Sequence, residues 1–169
     1  MLMASSRLPA AAALLALLLP FAPAADFTIN MVDGKPLTLS QYKGHPVVLA
    51  FILTSCSHCQ NTVKVLSKLQ NEFGPRGLQV LASAIEQDSQ QHVRLFVKNF
   101  APPFPVGYNT GAEAYTLFHP TGKLPMMPFL EFIDKKGVLR AQHEGEEPFF
   151  NDLEQNLRQE IEALFQAKR

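Results

Sequence analysis

The sequence predicts an α/β fold in which helices flank a mixed central sheet. Residues 47–53 are an apolar, β-branched run typical of a buried strand, and residues 56–73 follow it with the periodicity of an amphipathic helix. Two further strand-like runs, at 129–133 and 137–142, lie close together late in the chain. Strands and helices that alternate early and a hairpin that comes late favour a sheet with both parallel and antiparallel neighbours.

The segment before the buried strand is predicted to hold one short strand. That strand is expected over residues 27–31, and the Asp-Gly-Lys-Pro sequence at 33–36 predicts a turn after it. Residues 37–44 are expected to form a short helix or a loop that leads into the buried strand.

Two helices with apolar faces follow the buried strand. The first, at 56–73, ends at the Gly-Pro-Arg-Gly sequence of 74–77. A second strand at 78–85 leads to the second helix, at 90–100. The residues predicted to face the core are Val63, Leu66, Leu69 and Phe73 in the first helix and Val93, Phe96, Val97 and Phe100 in the second.

The middle of the chain is predicted as short elements. The proline-rich residues 101–105 are expected to be extended. A short strand at 106–108, a short helix at 112–118 and a turn at 119–122 come next.

A hairpin and a long helix complete the predicted fold. Gly137 suits the left-handed residue of the turn that joins the two late strands. The last helix is expected to begin near Pro148. Its core stripe is predicted to be Leu153, Leu157, Ile161 and Leu164.

Length and composition allow one domain and exclude several kinds of function. A chain of 169 residues can build one substantial core but not two. The formal net charge is zero, so neither nucleic acid nor a strongly acidic surface is expected as the main partner. The 2 cysteines are too few for a zinc site built from two cysteine pairs.

Residues 1–24 have the composition of a signal peptide. Arg7 supplies positive charge, residues 8–21 form an apolar run that is short for a membrane span, and Ala-Pro-Ala at 22–24 offers small residues for cleavage. We expect cleavage after this sequence and a folded domain of residues 25–169 in the periplasm or another extracytoplasmic compartment, where disulfides persist. An uncleaved segment would instead anchor the protein to the membrane.

The motif that carries chemistry is Cys56-Ser57-His58-Cys59, at the junction of the buried strand and the first helix. N–H groups at the start of a helix lack intrahelical partners and carry partial positive charge, which favours a thiolate. The spacing places the second sulfur about one turn further along, where it can close a disulfide with the first. The motif therefore predicts dithiol–disulfide chemistry.

With two further features, this motif resembles the thioredoxin superfamily, and most closely its extracytoplasmic TlpA-like or redoxin branch. Met127-Pro128 stands just before a predicted strand, and an extra strand and helix lie between the motif helix and that proline. The resemblance covers about residues 27–168 and implies a thioredoxin-like fold with the strand–helix insertion of that branch.

The resemblance also implies roles for four residues. Cys56 would be the exposed nucleophile, and Cys59 the more buried thiol that resolves the mixed disulfide. Pro128 would be cis and lie beside the cysteines, and its missing N–H would leave a substrate strand room to pair with Met127. The exchange needs no metal or organic cofactor.

Several positions depart from the family pattern. Ser55 replaces the usual Trp before the first cysteine, Ala50 replaces the buried Asp of thioredoxin, and Thr62 replaces a Glu that TlpA-like reductases often carry. An acid near the resolving thiol would assist its deprotonation. Either resolution is slower in this protein, or Glu86 serves from the end of the second strand.

His58 stands just before the second cysteine, which is also the arrangement of the DsbA-type oxidases. An imidazolium beside a helix N-terminus would favour the Cys56 thiolate and make the disulfide more oxidising. We therefore expect a reduction potential above that of ordinary thioredoxin. Without a tuning role, His58 would simply face solvent.

The function favoured by these features is thiol–disulfide exchange with protein cysteines by a monomer, served by a membrane or extracytoplasmic redox partner. Cu(I) handling is an alternative, because the cysteines, a histidine and Met126-Met127 are soft ligands, although Sco-like proteins space their cysteines more widely. A thiol peroxidase of the peroxiredoxin type would need a threonine where Leu53 stands, one place before Thr54. A non-catalytic protein-binding module is the remaining alternative.

Overall fold

The computed structural model describes residues 23–115, 117 and 125–167, and in this part of the chain seven strands form one sheet. The strands are β1 Thr28–Asn30, β2 Pro36–Thr38, β3 Val47–Ile52, β4 Gln79–Ala84, β5 Val106–Tyr108, β6 Phe129–Ile133 and β7 Leu139–Glu144. The α-helices are α1 Ser57–Phe73, α2 Ser89–Phe100, α3 Gly111–Tyr115 and α4 Leu153–Gln166. Most of the predicted signal peptide, the predicted turn at 119–122 and the end of the predicted helix at 112–118 lie outside the described residues.

The sheet is mixed, as predicted. Its strand order is β2-β1-β5-β4-β3-β6-β7. β3 is parallel to β4, and β4 to β5, whereas the remaining neighbours are antiparallel. The parallel strands lie in the middle of the sheet, so the loops at their carboxyl ends meet at one edge of it.

β3 is the predicted buried strand, and all six of its residues are buried. Successive side chains point to opposite faces, so the strand contributes to two cores. Val48, Ala50 and Ile52 join the core that holds the apolar faces of α1, α2 and α4, and Val47, Leu49 and Phe51 join the core that includes residues of β1 and α3.

The predicted helix faces are confirmed. All inward residues predicted for α1 and α4 are buried. In α2, Val93 and Phe96 are buried, while Val97 and Phe100 are partly buried against the same core.

Residues 36–38 form a strand where the end of a turn and the start of a short helix or a loop were predicted. β2 pairs antiparallel with β1, from Thr28 opposite Thr38 to Asn30 opposite Pro36. A short 3-10 helix begins only at Leu39. Pro36 is the first residue of a strand at the edge of the sheet, where a missing N–H is tolerated. Pairing with β1 therefore outweighs the local sequence pattern.

The C-terminal hairpin and helix differ from the prediction only at their boundaries. Gly137 has a φ of 78°, the left-handed conformation predicted for the turn. The second strand of the hairpin is Leu139–Glu144, slightly later than expected. Pro148–Phe150 is a 3-10 turn, and the α-helix itself begins at Leu153.

A ladder of ion pairs joins α1 and the 3-10 turn that follows it, Gly74–Arg76, to α4 on the protein surface. Its rungs, defined here as the α1–α4 ladder, are Lys68–Glu154 (2.5 Å), Glu72–Arg158 (2.9 Å between Oε2 and the second guanidinium nitrogen) and Arg76–Glu162 (2.7 Å). The partners keep one sequence offset, so the two helices run parallel and in register. Positive and negative residues alternate along each side of the ladder, and each residue pairs with a residue of opposite charge on the other side.

Candidate active site

Cys56 stands at the entrance of α1, as the residue that caps the helix start. Its backbone is extended (φ −78°, ψ 123°), and its side chain makes no capping hydrogen bond. Its N–H donates to Leu53 O (3.1 Å) and its C=O accepts the Gln60 N–H (2.9 Å). The side chain is half-buried. The backbone is therefore fixed, while the sulfur stays reachable beside the unpaired N–H groups of the first helical turn.

Cys59 lies one turn further along α1 and is fully buried. Both cysteines are free thiols, and the Cys59 sulfur accepts the Leu53 N–H at 3.4 Å. Burial raises the pKa of the Cys59 thiol to about 12, the Leu53 N–H opposes this rise, and the Cys56 thiol and the charges of Cys56 and Glu86 add to it. The pair thus consists of one reachable sulfur and one sulfur that is held protonated beside it.

Glu86 brings a carboxylate to the loop between β3 and α1. Its Oε1 accepts the Thr54 N–H (3.0 Å) and the Thr54 hydroxyl. Its Oε2 is buried and has no hydrogen-bond partner among the described residues. The negative charge of Glu86 contributes to the raised pKa of Cys59, which places the carboxylate within electrostatic reach of the buried thiol.

The contact between Thr54 and Glu86 follows from the register of the sheet. Ile52 pairs with Ala84 in the parallel neighbours β3 and β4. Thr54 and Glu86 each stand two residues beyond that pair, at the same edge of the sheet. The sequence alone already suggests Glu86 as an acid for Cys59, whereas Thr54 enters there only through the peroxidase alternative. The Thr54 hydroxyl is bonded to the carboxylate.

The loop before β6 carries Met127 and Pro128. The peptide bond between them is cis, as the resemblance implied. Met127 is partly buried against the core that contains Cys59, and Cys56 packs against the same core. Met126 is 43% exposed. The structure therefore brings the loop and the two cysteines to one core, across a large separation in sequence.

Two further residues of α1 bear on the predicted chemistry. His58 is exposed in the first turn, and its side chain makes no hydrogen bond or ion pair within the described part of the chain. Its predicted effect on the redox potential stays a prediction. Thr62, where TlpA-like proteins often have Glu, is 1% exposed, and its hydroxyl lacks a partner among the described residues.

Neither a metal cluster nor a membrane-spanning helix is found in residues 23–115, 117 and 125–167. No group of three or more His, Cys, Asp and Glu side chains there could hold a metal ion. No helix there is both long and apolar enough to cross a bilayer.

The buried strand, the dithiol at the start of α1 and the cis-proline loop together define a thioredoxin-like fold with a Cys-x-x-Cys site. A solved structure has the same fold: a thiol:disulfide interchange protein of the thioredoxin family from Chlorobium tepidum TLS matches with a TM-score of 0.69. The match has 23% identity and covers 84% of this chain and 97% of that one. The predicted fold class is thereby confirmed.

The chain belongs to the AhpC/TSA family, which it matches over residues 21–142. It is 30% identical over 125 residues to the thiol-disulfide oxidoreductase ResA of Bacillus thuringiensis subsp. konkukian. This match covers 73% of this chain and 69% of that protein. It is 27% identical over 128 residues to the thioredoxin-like protein YneN of Bacillus subtilis, with 72% and 69% covered. These relatives confirm the resemblance inferred from the sequence.

Proposed function

We propose that this protein is a thiol–disulfide oxidoreductase that exchanges disulfides with protein thiols through Cys56 and Cys59. The observation that carries the proposal is the asymmetry of the pair: half-buried Cys56 stands at the N-cap position of α1, and fully buried Cys59 lies one turn inside the helix. Such a pair can accept a large partner at one sulfur only. The second sulfur is then protected from the solvent but close enough to displace that partner.

The exchange proceeds in two steps. The Cys56 thiolate attacks a substrate disulfide, so a bond forms between Cys56 Sγ and one substrate sulfur, and the other substrate sulfur leaves as a thiolate. Cys59 then loses its proton and attacks Cys56 Sγ, which closes the Cys56–Cys59 disulfide and releases the first substrate sulfur as a thiolate. The protein loses two electrons and the substrate gains two, and the reverse sequence forms substrate disulfides.

Glu86 is the group proposed to take the proton from Cys59. A thiol with a pKa of about 12 is a poor nucleophile until a nearby base accepts its proton. Thr54 holds one carboxylate oxygen of Glu86, and the other oxygen has no partner among the described residues. Glu86 would thus replace the acid that is missing at Ala50 and Thr62.

The proposed place of action is outside the cytoplasm, after removal of residues 1–24, with the mature monomer served by a membrane or extracytoplasmic redox partner. The apolar run at 8–21 and the small residues at 22–24 support removal. The Ala24 N–H donates to Gly137 O (2.8 Å), so cleavage would remove this bond from the mature protein. The mass of the protein purified from its host tests this: a chain that begins at Ala25 supports cleavage, and an intact chain contradicts it.

Covalent trapping in the native host tests the proposed exchange. Cys59→Ala should accumulate mixed disulfides at Cys56, because the second step is blocked, and mass spectrometry of the adducts identifies substrate and redox partner together. The matched control is the double variant Cys56→Ser, Cys59→Ala, which should trap nothing. Adducts that are equally abundant in both variants, or absent from both, would contradict the proposal.

A further inference from the structure

The cis-proline loop is fastened to the end of β7 through both backbone groups of one residue. The Met126 N–H donates to Glu144 Oε2 at 3.1 Å, and the Met126 C=O accepts the Gly145 N–H at 2.8 Å. One of these bonds comes from a backbone N–H and needs no side chain at residue 145. The other depends on a carboxylate side chain, and so on the identity of residue 144.

Gly145 lies directly against the next residue of the loop. A Cβ at position 145 would lie 2.6 Å from the Met127 carbonyl oxygen, 2.8 Å from its carbon and 3.2 Å from Pro128 Cδ. These distances are too short for any side chain, so residue 145 sets how closely the loop can approach β7. Residues 144 and 145 together fix the position of Met127.

Glu144 is itself held in place. Its N–H donates to Glu147 Oε1 (3.1 Å), and Glu147 Oε2 lies 2.8 Å from His143 Nδ1. The His143 ring stacks on Phe149 with centroids 3.8 Å apart and planes 10° apart. The residue that holds the loop is therefore braced by the turn that leads into α4.

We propose that Glu144 is a positioning residue for substrate binding: its carboxylate holds Met126 so that the Met127 backbone is presented to an extended substrate segment. This inference rests on the proposed function, in which a substrate strand pairs with Met127. Within the described residues, no protein group pairs with the Met127 N–H. Because Glu144 acts on the loop and not on the sulfurs, it affects substrates that extend beyond their disulfide and leaves the intrinsic reactivity of Cys56 unchanged.

The test compares a peptide substrate with a small one in the Cys59→Ala background. The peptide probe is a short extended peptide whose central cysteine carries a thionitrobenzoate group, and the small probe is 5,5′-dithiobis(2-nitrobenzoic acid). In both reactions Cys56 displaces thionitrobenzoate, whose colour reports the rate. Glu144→Ala should slow the peptide reaction about tenfold, the factor expected for loss of one hydrogen bond to a charged group. The small-probe rate should change less than about twofold, the rate change for roughly 0.4 kcal/mol.

Two matched variants make the result specific. Glu144→Gln keeps an acceptor oxygen and should restore most of the peptide rate, and Glu146→Ala, at an exposed neighbouring residue, should leave both rates unchanged. Amide hydrogen exchange gives a readout without substrate: Met126 should exchange faster in Glu144→Ala than in the parent. The proposal is overturned by equal peptide rates in Glu144→Ala and Glu146→Ala, by equal slowing of both probes, or by unchanged Met126 exchange. A parent protein that reacts with neither probe would instead refute the proposed function.

Discussion

Glu131 makes the stability of this fold depend on pH in a way that one substitution should abolish. It lies in the middle of β6, opposite Leu49 of β3, and is 3% exposed. Gln142 of β7 donates a hydrogen bond to its Oε1 at 2.7 Å. Burial raises the pKa of Glu131 from 4.5 to about 7, and the bond from Gln142 offsets only part of that rise.

The direction of the effect follows from proton binding. Because the folded protein holds the Glu131 proton more tightly than the unfolded chain, the free energy of unfolding falls as pH rises from about 4.5 to about 7 and then levels off. A rise in pKa from 4.5 to about 7 corresponds to a loss of about 3 kcal/mol above pH 7, as an upper bound. Glu131→Gln keeps the shape of the side chain and cannot ionise, so it should not lose this stability.

Urea denaturation of the dithiol form checks the prediction. At about pH 4 the parent and Glu131→Gln should have similar free energies of unfolding, and at about pH 8 the variant should be more stable by up to about 3 kcal/mol. Glu146→Gln, at an exposed position, is the matched control and should show no such divergence. A difference that does not change with pH, or a parent that is the more stable protein at the higher pH, would refute the reasoning.

Three further predictions follow from the site and the surface. Glu86→Gln should slow resolution of the mixed disulfide about tenfold or more in a stopped-flow measurement, because the base that accepts the Cys59 proton is lost. Loss of the negative charge also lowers the pKa of Cys59, so faster resolution in this variant would show that the role of Glu86 is only electrostatic. His58→Ala should make the disulfide less oxidising by roughly 30 mV in glutathione buffers, whereas an unchanged potential would assign His58 no tuning role. In the α1–α4 ladder, Arg158→Gln should lower the Tm at low salt, and this decrease in Tm should be smaller in about 1 M NaCl because salt screens exposed ion pairs. A decrease in Tm that does not depend on salt would contradict an electrostatic origin.

The parts of the fold that the sequence predicts well are those with long, strong periodicity. β3 and α1 are predicted almost to the residue, because an unbroken apolar run and a regular helical face leave few other arrangements. β2 is different, since three residues that begin with Pro36 carry little pattern of their own. Their strand conformation comes from pairing with β1, which is a tertiary contact.

Buried polar residues show the same limit. Glu131 lies within a correctly predicted strand, but a charged residue in a strand usually faces water. Its burial depends on β6 lying between β3 and β7 and on the packing of both faces of the sheet. The composition of the strand alone gives no sign of this.

The candidate site divides in a similar way. Cys56 and Cys59 follow from spacing, and the cis proline from resemblance. The contact of Thr54 with Glu86 depends on the register between β3 and β4, and that register cannot be read from the sequence. The hydrogen bond that the Met126 N–H donates to Glu144 joins the loop before β6 to the last residue of β7, so it depends on how the chain turns between these two strands.

A redox titration of the purified domain in glutathione buffers, with mass spectrometry of the quenched protein, tests the central claim most directly. The predicted result is one reversible disulfide between Cys56 and Cys59 that forms and opens as a two-electron couple. The contradictory result is a pair of thiols that stays reduced, or a disulfide that never reopens, across the whole range of buffers.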